Sequence, residues 1–209
     1  MRVTNFTIEP EFETDSLNYD VIVEGIERIK DVDGFTCEIG LRRGGGSFHI
    51  IDTLFKTEQK KTHIAIDPYG NIEYPEGDDE QVIRCDYTNS MRDDCLANMY
   101  LLCQRREISF LFFNLEDTEF FTRYADGVPV YNEHKQLVNQ YSFVHFDGPH
   151  TVRHLKTEID FFHPRSPQGA VWVFDDVGLY KHSETHAYLK SLGWSALRTT
   201  ERKWSYQRK

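Results

Sequence analysis

The chain has 209 residues, of which 39% are hydrophobic and 14% aromatic, and it carries a formal charge of −10. This length fits one domain with a sizeable core, no apolar run reaches the ~20 residues of a membrane span, and the negative charge disfavours a nucleic-acid partner. Residues 1–20 lack the apolar stretch of a secretory signal, and the four cysteines form no C-x-x-C pair, so a cytoplasmic protein with reduced thiols is expected.

The first predicted elements lead into a buried strand. Residues 1–15 are polar and acidic and are predicted to form an arm. A helix capped by Asp15 or Ser16 is predicted to follow and to reach about Lys30. Phe35–Ile39 then has the β-branched and aromatic character of a strand inside a parallel sheet.

A glycine-rich turn follows this strand. The segment from Glu38 to Ser47 reads E-I-G-L-R-R-G-G-G-S, and its glycines allow sharp bends and the close approach of a ligand. Ser47 is predicted to begin a helix, because apolar residues recur at helical spacing after it. A strand, a glycine turn and a helix aim free backbone N–H groups at the space above the strand end, as in nucleotide sites. We therefore predict ligand binding here, and a turn whose glycines serve packing alone is the alternative.

Three kinds of ligand cradle compete for this spacing. A dinucleotide fingerprint, G-x-G-x-x-G, is absent from residues 40–46. The frame of a phosphate-binding P-loop fits from Gly40 to Ser47, but Gly46 replaces the lysine that would neutralise the phosphates. The third pattern places a carboxylate, Glu38, two residues before the first glycine, and it is the interpretation that we favour.

The second predicted strand, residues 63–66, also ends in an acidic residue. Asp67 lies about twenty residues past the glycine turn, where a carboxylate can accept both hydroxyls of a ribose. A plain turn before Pro68 is the alternative. The segment 70–87 is rich in glycine, proline and acidic residues and is predicted to be a loop with a solvated surface.

A helix and a third strand follow. Methionines and cysteines recur at helical spacing between residues 91 and 102, which is typical of core packing. Residues 108–113 are predicted to form a strand that precedes Glu116 and Asp117, and these acids either contact an adenosine or cap the next helix. The polar connection 125–140 gives no prediction of regular structure.

Two further strands are predicted at residues 143–146 and 170–174, and they end in Asp147 and in Asp175-Asp176. Alternating strands and helices predict a doubly wound α/β fold, in which the carboxyl ends of the parallel strands share one edge of the sheet. The acidic residues at predicted strand ends would therefore gather at that edge. They are Glu38, Asp67, Glu116, Asp147, Asp175 and Asp176.

Two separated motifs resemble those of class I S-adenosylmethionine-dependent methyltransferases. The first is E-x-G-x-x-R-G-G at residues 38–45, and the second is F-D-G-x-H at residues 146–150, followed by P…G-A-V-W-V-F-D-D. The likeness covers residues 35–177 and is to the group of macrocin-type, metal-dependent sugar O-methyltransferases. It implies S-adenosylmethionine as cofactor. The residues it implies in the cofactor site are Glu38, Gly40, Arg43, Gly44, Gly45 and Asp67. Ser47, Glu116 and Asp117 are added to this predicted site because of their positions next to the predicted strands and helices.

The same resemblance implies a divalent metal held by Asp147, Asp175 and Asp176. Carboxylates that converge at one edge repel each other unless a cation is present, and oxygen-only ligands suit Mg²⁺ or another hard divalent cation. An acceptor hydroxyl bound to such a metal would lose its proton more easily.

One departure from the family pattern concerns the proton acceptor. Pro149 stands where relatives often have a second acid. His150 is the nearest substitute and is predicted to act with Asp147. We expect its imidazole to be neutral, because it precedes a helix whose positive dipole end disfavours the imidazolium. His145, on the preceding strand, is ranked below it.

The C-terminal segment completes the predicted architecture. Ser183 is predicted to cap a helix that Gly193 ends, and residues 194–199 and 203–208 are predicted to pair as an antiparallel hairpin. The expected fold is a single domain over residues 1–209. It has a Rossmann-like seven-stranded sheet, parallel except for one strand of the hairpin, with helices on both faces.

These features predict a methyltransferase that uses S-adenosylmethionine to methylate a hydroxyl of a small molecule or sugar, with help from Mg²⁺. No membrane or nucleic-acid partner is expected, and the sequence does not indicate the oligomeric state. One alternative is a metallohydrolase built on His145, Asp147, His150 and His154, which would leave the glycine turn without a role. A non-catalytic cofactor-binding domain is the other.

Overall fold

The computed structural model describes residues 10–14, 16–79, 81–84 and 86–209. They form a seven-stranded sheet flanked by helices, together with two small hairpins. The predicted class, a doubly wound Rossmann-like α/β fold, is therefore confirmed. Most of the predicted arm, together with Asp15, lies outside the described residues.

The elements follow one another in an alternating order. They are α1 (Asp20–Arg28), β1 (Phe35–Ile39), α2 (Gly45–Lys56), β2 (His63–Ile66), β3 (Glu73–Glu76), β4 (Gln81–Arg84), α3 (Asn89–Arg106), β5 (Phe110–Phe113), α4 (Asp117–Arg123), β6 (Val128–Asn132), β7 (His134–Val138), β8 (Tyr141–Phe146), α5 (Val152–Phe162), β9 (Val171–Phe174), α6 (His182–Ser191), β10 (Trp194–Thr199) and β11 (Trp204–Arg208).

The large sheet has the strand order β10-β11-β9-β8-β1-β2-β5. Strands β5, β2, β1, β8 and β9 are parallel to their neighbours, whereas β11 pairs antiparallel with both β9 and β10. The C-terminal hairpin thus supplies the one antiparallel strand, as the sequence predicts. The strand order reverses between β1 and β8, and ligands of open α/β sheets bind at such a switch point.

Two cores cover the two faces of the sheet. One is rich in aromatic side chains, among them Phe146, Phe162 and Trp172, and packs α4, α5 and α6 against the strands. The other is mostly aliphatic and packs α1, α2 and α3. Every residue of β1, β2, β8 and β9 is buried, because strands covered on both faces carry continuous rather than alternating apolar runs.

Two segments without predicted regular structure form hairpins. β3 pairs with β4 inside the predicted loop 70–87, and β6 pairs with β7 inside the connection 125–140. Their strands are only four or five residues long; β4 and β7 are mostly exposed, whereas β3 is mostly half-buried and β6 begins with the buried Val128. Strand propensity and alternation are weak over such short, charged stretches, so the sequence pattern does not reveal them.

Three helix starts differ from the predicted ones. α1 begins at Asp20 instead of near Ser16, α2 at Gly45 instead of Ser47, and α6 at His182. Ser16 and Ser47 do not cap helices because their hydroxyls bond to buried acidic side chains, Asp175 and Glu38. Of the two roles considered for Glu116, adenosine contact and helix capping, the structure shows capping, in a capping box at the start of α4.

Cys37, Cys95 and Cys103 are buried and form no disulfide, and Cys85 lies outside the described residues. Of the helices in the described part of the chain, none is both long and apolar enough to cross a lipid bilayer.

Candidate active site

A cleft of about 270 Å³ lies at the carboxyl ends of the parallel strands. Its walls come from the end of β1, from the residues after β2, β5, β8 and β9, and from the hairpin strand β3. Gly40 borders the cleft with a φ of +86°, and a Cβ there would overlap the carbonyl oxygen of Asp147. Glycine is therefore required where the ends of β1 and β8 meet.

Asp67 lies in this cleft directly after β2. One carboxylate oxygen accepts the backbone N–H groups of Leu41 and Arg42, each at 2.9 Å, and the other accepts that of Tyr69 at 2.8 Å. These bonds fix the carboxylate against the glycine turn. A carboxylate oxygen offers two acceptor sites, so the oxygen that bonds to Tyr69 retains one for a ligand hydroxyl.

Asp147 and His150 form an ion pair at the other end of the cleft. Nε2 of His150 lies 3.4 Å from Oδ1 of Asp147 and 3.8 Å from Oδ2 of Asp176. Burial opposes charge on both groups, but the contact with His150 lowers the pKa of Asp147 to about 2. Asp147 and Asp176 in turn raise the pKa of His150 above its usual value.

The pKa of His150 is therefore shifted in the direction opposite to the one expected from the helix end. His150 precedes Thr151, which caps α5, so the helix end does act on it. The neighbouring carboxylates are closer and carry full charges, whereas a helix end carries about half a charge. The carboxylates therefore outweigh the helix end in setting the direction in which the pKa of His150 shifts.

Glu38 belongs to a buried polar network instead of the cleft wall. Its two oxygens bond to the Ser47 hydroxyl and to Nδ1 of His145, the latter at 2.7 Å. Ser47 also contacts Nε2 of His63 at 2.7 Å, and His63 contacts Thr36. Burial disfavours charge on His145, but the bond to Glu38 and the nearby carboxylates raise its pKa.

Asp175 is paired with a lysine. Nζ of Lys203 donates hydrogen bonds to Asp175 at 2.7 Å, to the Ser16 hydroxyl at 2.7 Å and to the carbonyl of Leu17 at 3.0 Å. Lys203 also lies over the ring of Tyr19, 4.5 Å from its centroid. The side chains of Lys203 and Asp175 are 0% and 1% exposed, so this ion pair is closed to solvent.

The glycine turn is covered by the segment before α1. Glu13 pairs with Gly44 in a short parallel bridge and forms an ion pair with Arg43. A Cβ on Gly44 would clash with Met99, and one on Gly45 would press on Glu13 and Tyr19. These two glycines therefore serve close packing, which is the alternative that the sequence left open.

The cleft is bordered by only some of the predicted site residues. Of the nine predicted cofactor residues, four border it, namely Gly40, Asp67, Glu116 and Asp117. Glu38, Arg43, Gly44, Gly45 and Ser47 do not. Both predicted catalytic residues, Asp147 and His150, border it, as do Asp147 and Asp176 of the predicted metal ligands, but Asp175 does not.

The predicted metal ligands do not fit a divalent cation well. Asp175 is bonded to Lys203, and Asp176 forms an ion pair with Arg202. Within the described ranges of the chain, the His, Cys, Asp and Glu ligand atoms that all lie within 4.8 Å of one another are those of Glu38, His145 and Asp147. Neither Asp175 nor Asp176 belongs to that group.

The structure brings only part of the alternative hydrolase's array together, since His145 and His150 both lie near Asp147 but neither His150 nor His154 belongs to the group just described. His145 bonds to Glu38, whereas His154 lies in the first turn of α5 with its Nδ1 2.8 Å from the Thr151 hydroxyl. His154 does border the cleft.

Several residues of the cleft and its surroundings were not identified from the sequence. The hairpin strand β3 forms one wall, and the tip of this hairpin, Gly77, reaches the backbone of Leu179 beyond β9. Glu158 lies beneath Gly148, where burial and the charge of Asp117 raise its pKa well above the usual range. Lys203 was also missed. None of these has a local sequence signal, because each depends on contacts between distant segments.

Known structures share this fold, whereas no family model and no curated protein sequence matches the chain. The O-methyltransferase TomG of Streptomyces achromogenes, in complex with SAM, has a TM-score of 0.58 and 11% identity, with 95% of this chain and 82% of TomG covered. An O-methyltransferase from Bacillus cereus, in complex with SAH, has a TM-score of 0.56 and 9% identity, with 96% of this chain and 84% of that protein covered. CalS11, a TDP-rhamnose 3'-O-methyltransferase of calicheamicin biosynthesis, has a TM-score of 0.55 and 11% identity, with 90% of this chain and 76% of CalS11 covered. At 9–11% identity these likenesses establish the fold, which is the Rossmann-like fold of methyltransferases.

Proposed function

We propose that this protein is a methyltransferase that uses S-adenosylmethionine to methylate a hydroxyl of a small molecule. The observation that carries the proposal is the cleft at the strand-order switch, where Gly40, Asp67 and Asp147 meet. The likeness of the fold to that of methyltransferases supports it.

The residues around the cleft suit the cofactor. Asp67 has a free acceptor site for a ribose hydroxyl, and Glu116 and Asp117 stand at the end of β5, on the side of Asp67 away from Asp147. The cofactor supplies a methyl group on a positively charged sulfonium, and an acidic cleft attracts that charge. The volume of about 270 Å³ is near the small end for small-molecule sites.

Asp147 is proposed to orient the acceptor. Its side chain is 32% exposed in the cleft and its low pKa keeps it ionised, so it can accept a hydrogen bond from the acceptor hydroxyl. Holding the oxygen in line with the methyl group is the main demand of the reaction. As the oxygen–carbon bond forms and the carbon–sulfur bond breaks, S-adenosylhomocysteine is left as the second product, and the hydroxyl proton is released to solvent along the hydrogen bond with Asp147, whose low pKa keeps the carboxylate ionised.

This mechanism contains no metal step. The sequence predicts Mg²⁺ at Asp147, Asp175 and Asp176, and that remains a prediction. Because Lys203, Arg202 and His150 already neutralise these acids, the residues present favour transfer without a metal.

The acceptor is proposed to lack phosphate groups. One arginine, Arg42, and two histidines border the cleft, against a larger number of acidic residues. A diphosphate, such as that of the TDP-sugar named for CalS11, would meet strong repulsion there. Sugars, catechol-like molecules and amines remain suitable. The acidic residues are Asp67, Glu73, Glu76, Glu116, Asp117, Asp147 and Asp176.

The test combines calorimetry with an activity screen. The wild type should bind S-adenosylmethionine, and S-adenosylhomocysteine should be released when a suitable sugar, catechol or amino alcohol is added. The Asp147→Asn variant should keep cofactor binding and lose about 10²–10⁴-fold in transfer rate. Absence of cofactor binding by the wild type would overturn the proposal. Zinc binding without cofactor would favour the hydrolase, and cofactor binding with no transfer across the screen would favour a binding domain.

A further inference from the structure

We propose that the ammonium group of Lys203 takes the position that a divalent cation would otherwise hold beside Asp175, so that this chain closes its acidic sheet edge with its own side chains. The inference goes beyond the proposed function, and it bears on methyl transfer only if that function is correct.

The surroundings of the Lys203 ammonium are those of a filled cation site. An ammonium group has three N–H donors, and three oxygens accept them, from Asp175, Ser16 and Leu17, at 2.7–3.0 Å. The ring of Tyr19 faces the same group, which adds a cation–π contact. A carboxylate, a hydroxyl and a carbonyl oxygen are also ligand types that hard divalent cations use.

Asp175 needs such a cation. Its side chain is 1% exposed. Burial and the charge of Asp147 raise its pKa, whereas His145 and Lys203 act in the opposite direction. The remaining basic neighbour, His145, keeps Nε2 3.8 Å from Asp175. Lys203 is thus the group in hydrogen-bonding contact that compensates the charge.

The other two acids predicted to bind metal also have cationic partners. Arg202 pairs with Asp176, and His150 pairs with Asp147. Arg202 and Lys203 are adjacent in the turn between β10 and β11. The C-terminal hairpin therefore carries two positive charges to the carboxyl edge of the sheet, where they meet the two acids that follow β9.

The same lysine fixes the segment before α1. Ser16 and Leu17 bond to Lys203 and lie more than 180 residues from it in the chain. Removing the ammonium would therefore leave an oxygen-lined space of about the right size for a metal ion, and it would also release this segment from the sheet edge.

The experiment measures Mn²⁺ binding by electron paramagnetic resonance in the whole protein, without any acceptor. The wild type should bind no Mn²⁺ at this position up to millimolar concentration. Lys203→Ala should bind one Mn²⁺ ion, with an affinity at least tenfold higher than any that the wild type shows. Lys203→Arg should exclude the metal as the wild type does, and Lys203→Ala combined with Asp175→Asn should lose the gained site.

Two results would overturn the inference. One is a wild type that binds one Mn²⁺ and loses it when Asp175 is changed to Asn. The other is a folded Lys203→Ala variant that gains no Mn²⁺. If that variant does not fold, Lys203→Gln replaces it, and the wild-type measurement decides independently. Calorimetry of S-adenosylmethionine with the wild type, without added metal, tests the proposed function separately, since absence of cofactor binding would overturn that function and leave the Mn²⁺ result unchanged.

Discussion

The acidic residues at the carboxyl edge of the sheet exist in two different states. Asp67 and Asp147 border the cleft and keep acceptor capacity for a ligand, and we refer to them as the open carboxylates. Glu38 and Asp175 are each 1% exposed and bond to His145 and Lys203, and we refer to them as the closed carboxylates. All four lie at or next to a strand end.

The difference shows that a carboxylate's position in the sheet does not decide its function. Glu38 lies one residue before the end of β1, inside the strand pairing, where His145 is its register partner on β8. Asp67 lies one residue beyond β2, where the chain leaves the sheet. Asp175 also lies one residue beyond its strand, β9, and yet it is closed by Lys203. The partners that reach an acid from other segments therefore decide whether it stabilises the fold or faces the cleft.

Replacing Lys203 by methionine should have the largest effect on the closed carboxylates. The change removes the charge and keeps much of the volume, so Asp175 would remain buried with the Ser16 hydroxyl but without a cation in hydrogen-bonding contact. Breaking a buried ion pair in this way costs about 3–5 kcal/mol, which urea denaturation would measure as a lower free energy of unfolding.

The control for this loss is the double variant Lys203→Met with Asp175→Asn. It removes both charges and should recover most of the free energy of unfolding, because a neutral pair needs no compensation. An unchanged midpoint in the single variant would mean that water reaches Asp175 and that the closed state does not exist.

The open and closed sets should also differ in cofactor binding. Asp67→Asn should weaken S-adenosylmethionine by about 10–100-fold, since hydrogen bonds to charged groups contribute about 1.5–3 kcal/mol. Ser47→Ala removes the hydroxyl that bonds to the closed carboxylate Glu38. It should lower the free energy of unfolding by about 1 kcal/mol and leave cofactor affinity within twofold.

Calorimetry on the two variants checks this pair of predictions. Equal losses of affinity would mean that the glycine turn contacts the cofactor directly, as the family resemblance implies for Glu38 and its neighbours. The segment that includes Glu13 would then have to move away from Gly44 and Gly45 when the cofactor binds.

Local signals allowed much of the fold to be predicted. The five parallel strands are short apolar runs with acidic residues at or after their ends. Their hydrophobic pattern and β-branched residues can be recognised from a few neighbouring positions in the sequence. The turn after β1 and the helix that follows His150 were predicted for the same reason. Hairpins β3–β4 and β6–β7 were not, because their strands are short and their pairing depends on the rest of the fold.

The state of each acid could not be read from the sequence. Asp175 meets a lysine 28 residues away and a serine 159 residues away, and neither separation follows from a helical or strand repeat. The direction of the pKa shift of His150 was mispredicted for a related reason. The helix start was visible in the sequence, whereas the approach of Asp176 from another strand was not.

The last expected effect concerns pH and the network around Glu38. His63 is fully buried between Thr36 and Ser47, and burial lowers its pKa to about 3. In the unfolded chain its pKa is about 6.5, so below that pH the unfolded state binds a proton that the folded state rejects. Stability is thus complete above about pH 6.5 and is lost as the pH falls toward 3, by at most about 2 kcal/mol at pH 5.

Urea denaturation at pH 7 and pH 5 measures this loss. His63→Gln removes the titrating group, so the difference in free energy of unfolding between the two pH values should shrink by up to about 2 kcal/mol relative to wild type. His134 is exposed on β7, and His134→Gln should leave the difference unchanged. If His63→Gln also leaves it unchanged, His63 is protonated in the folded protein. The Ser47 hydroxyl would then accept a hydrogen bond from a charged His63 and donate one to Glu38. The closed state of Glu38 would therefore depend on His63 as well as on His145.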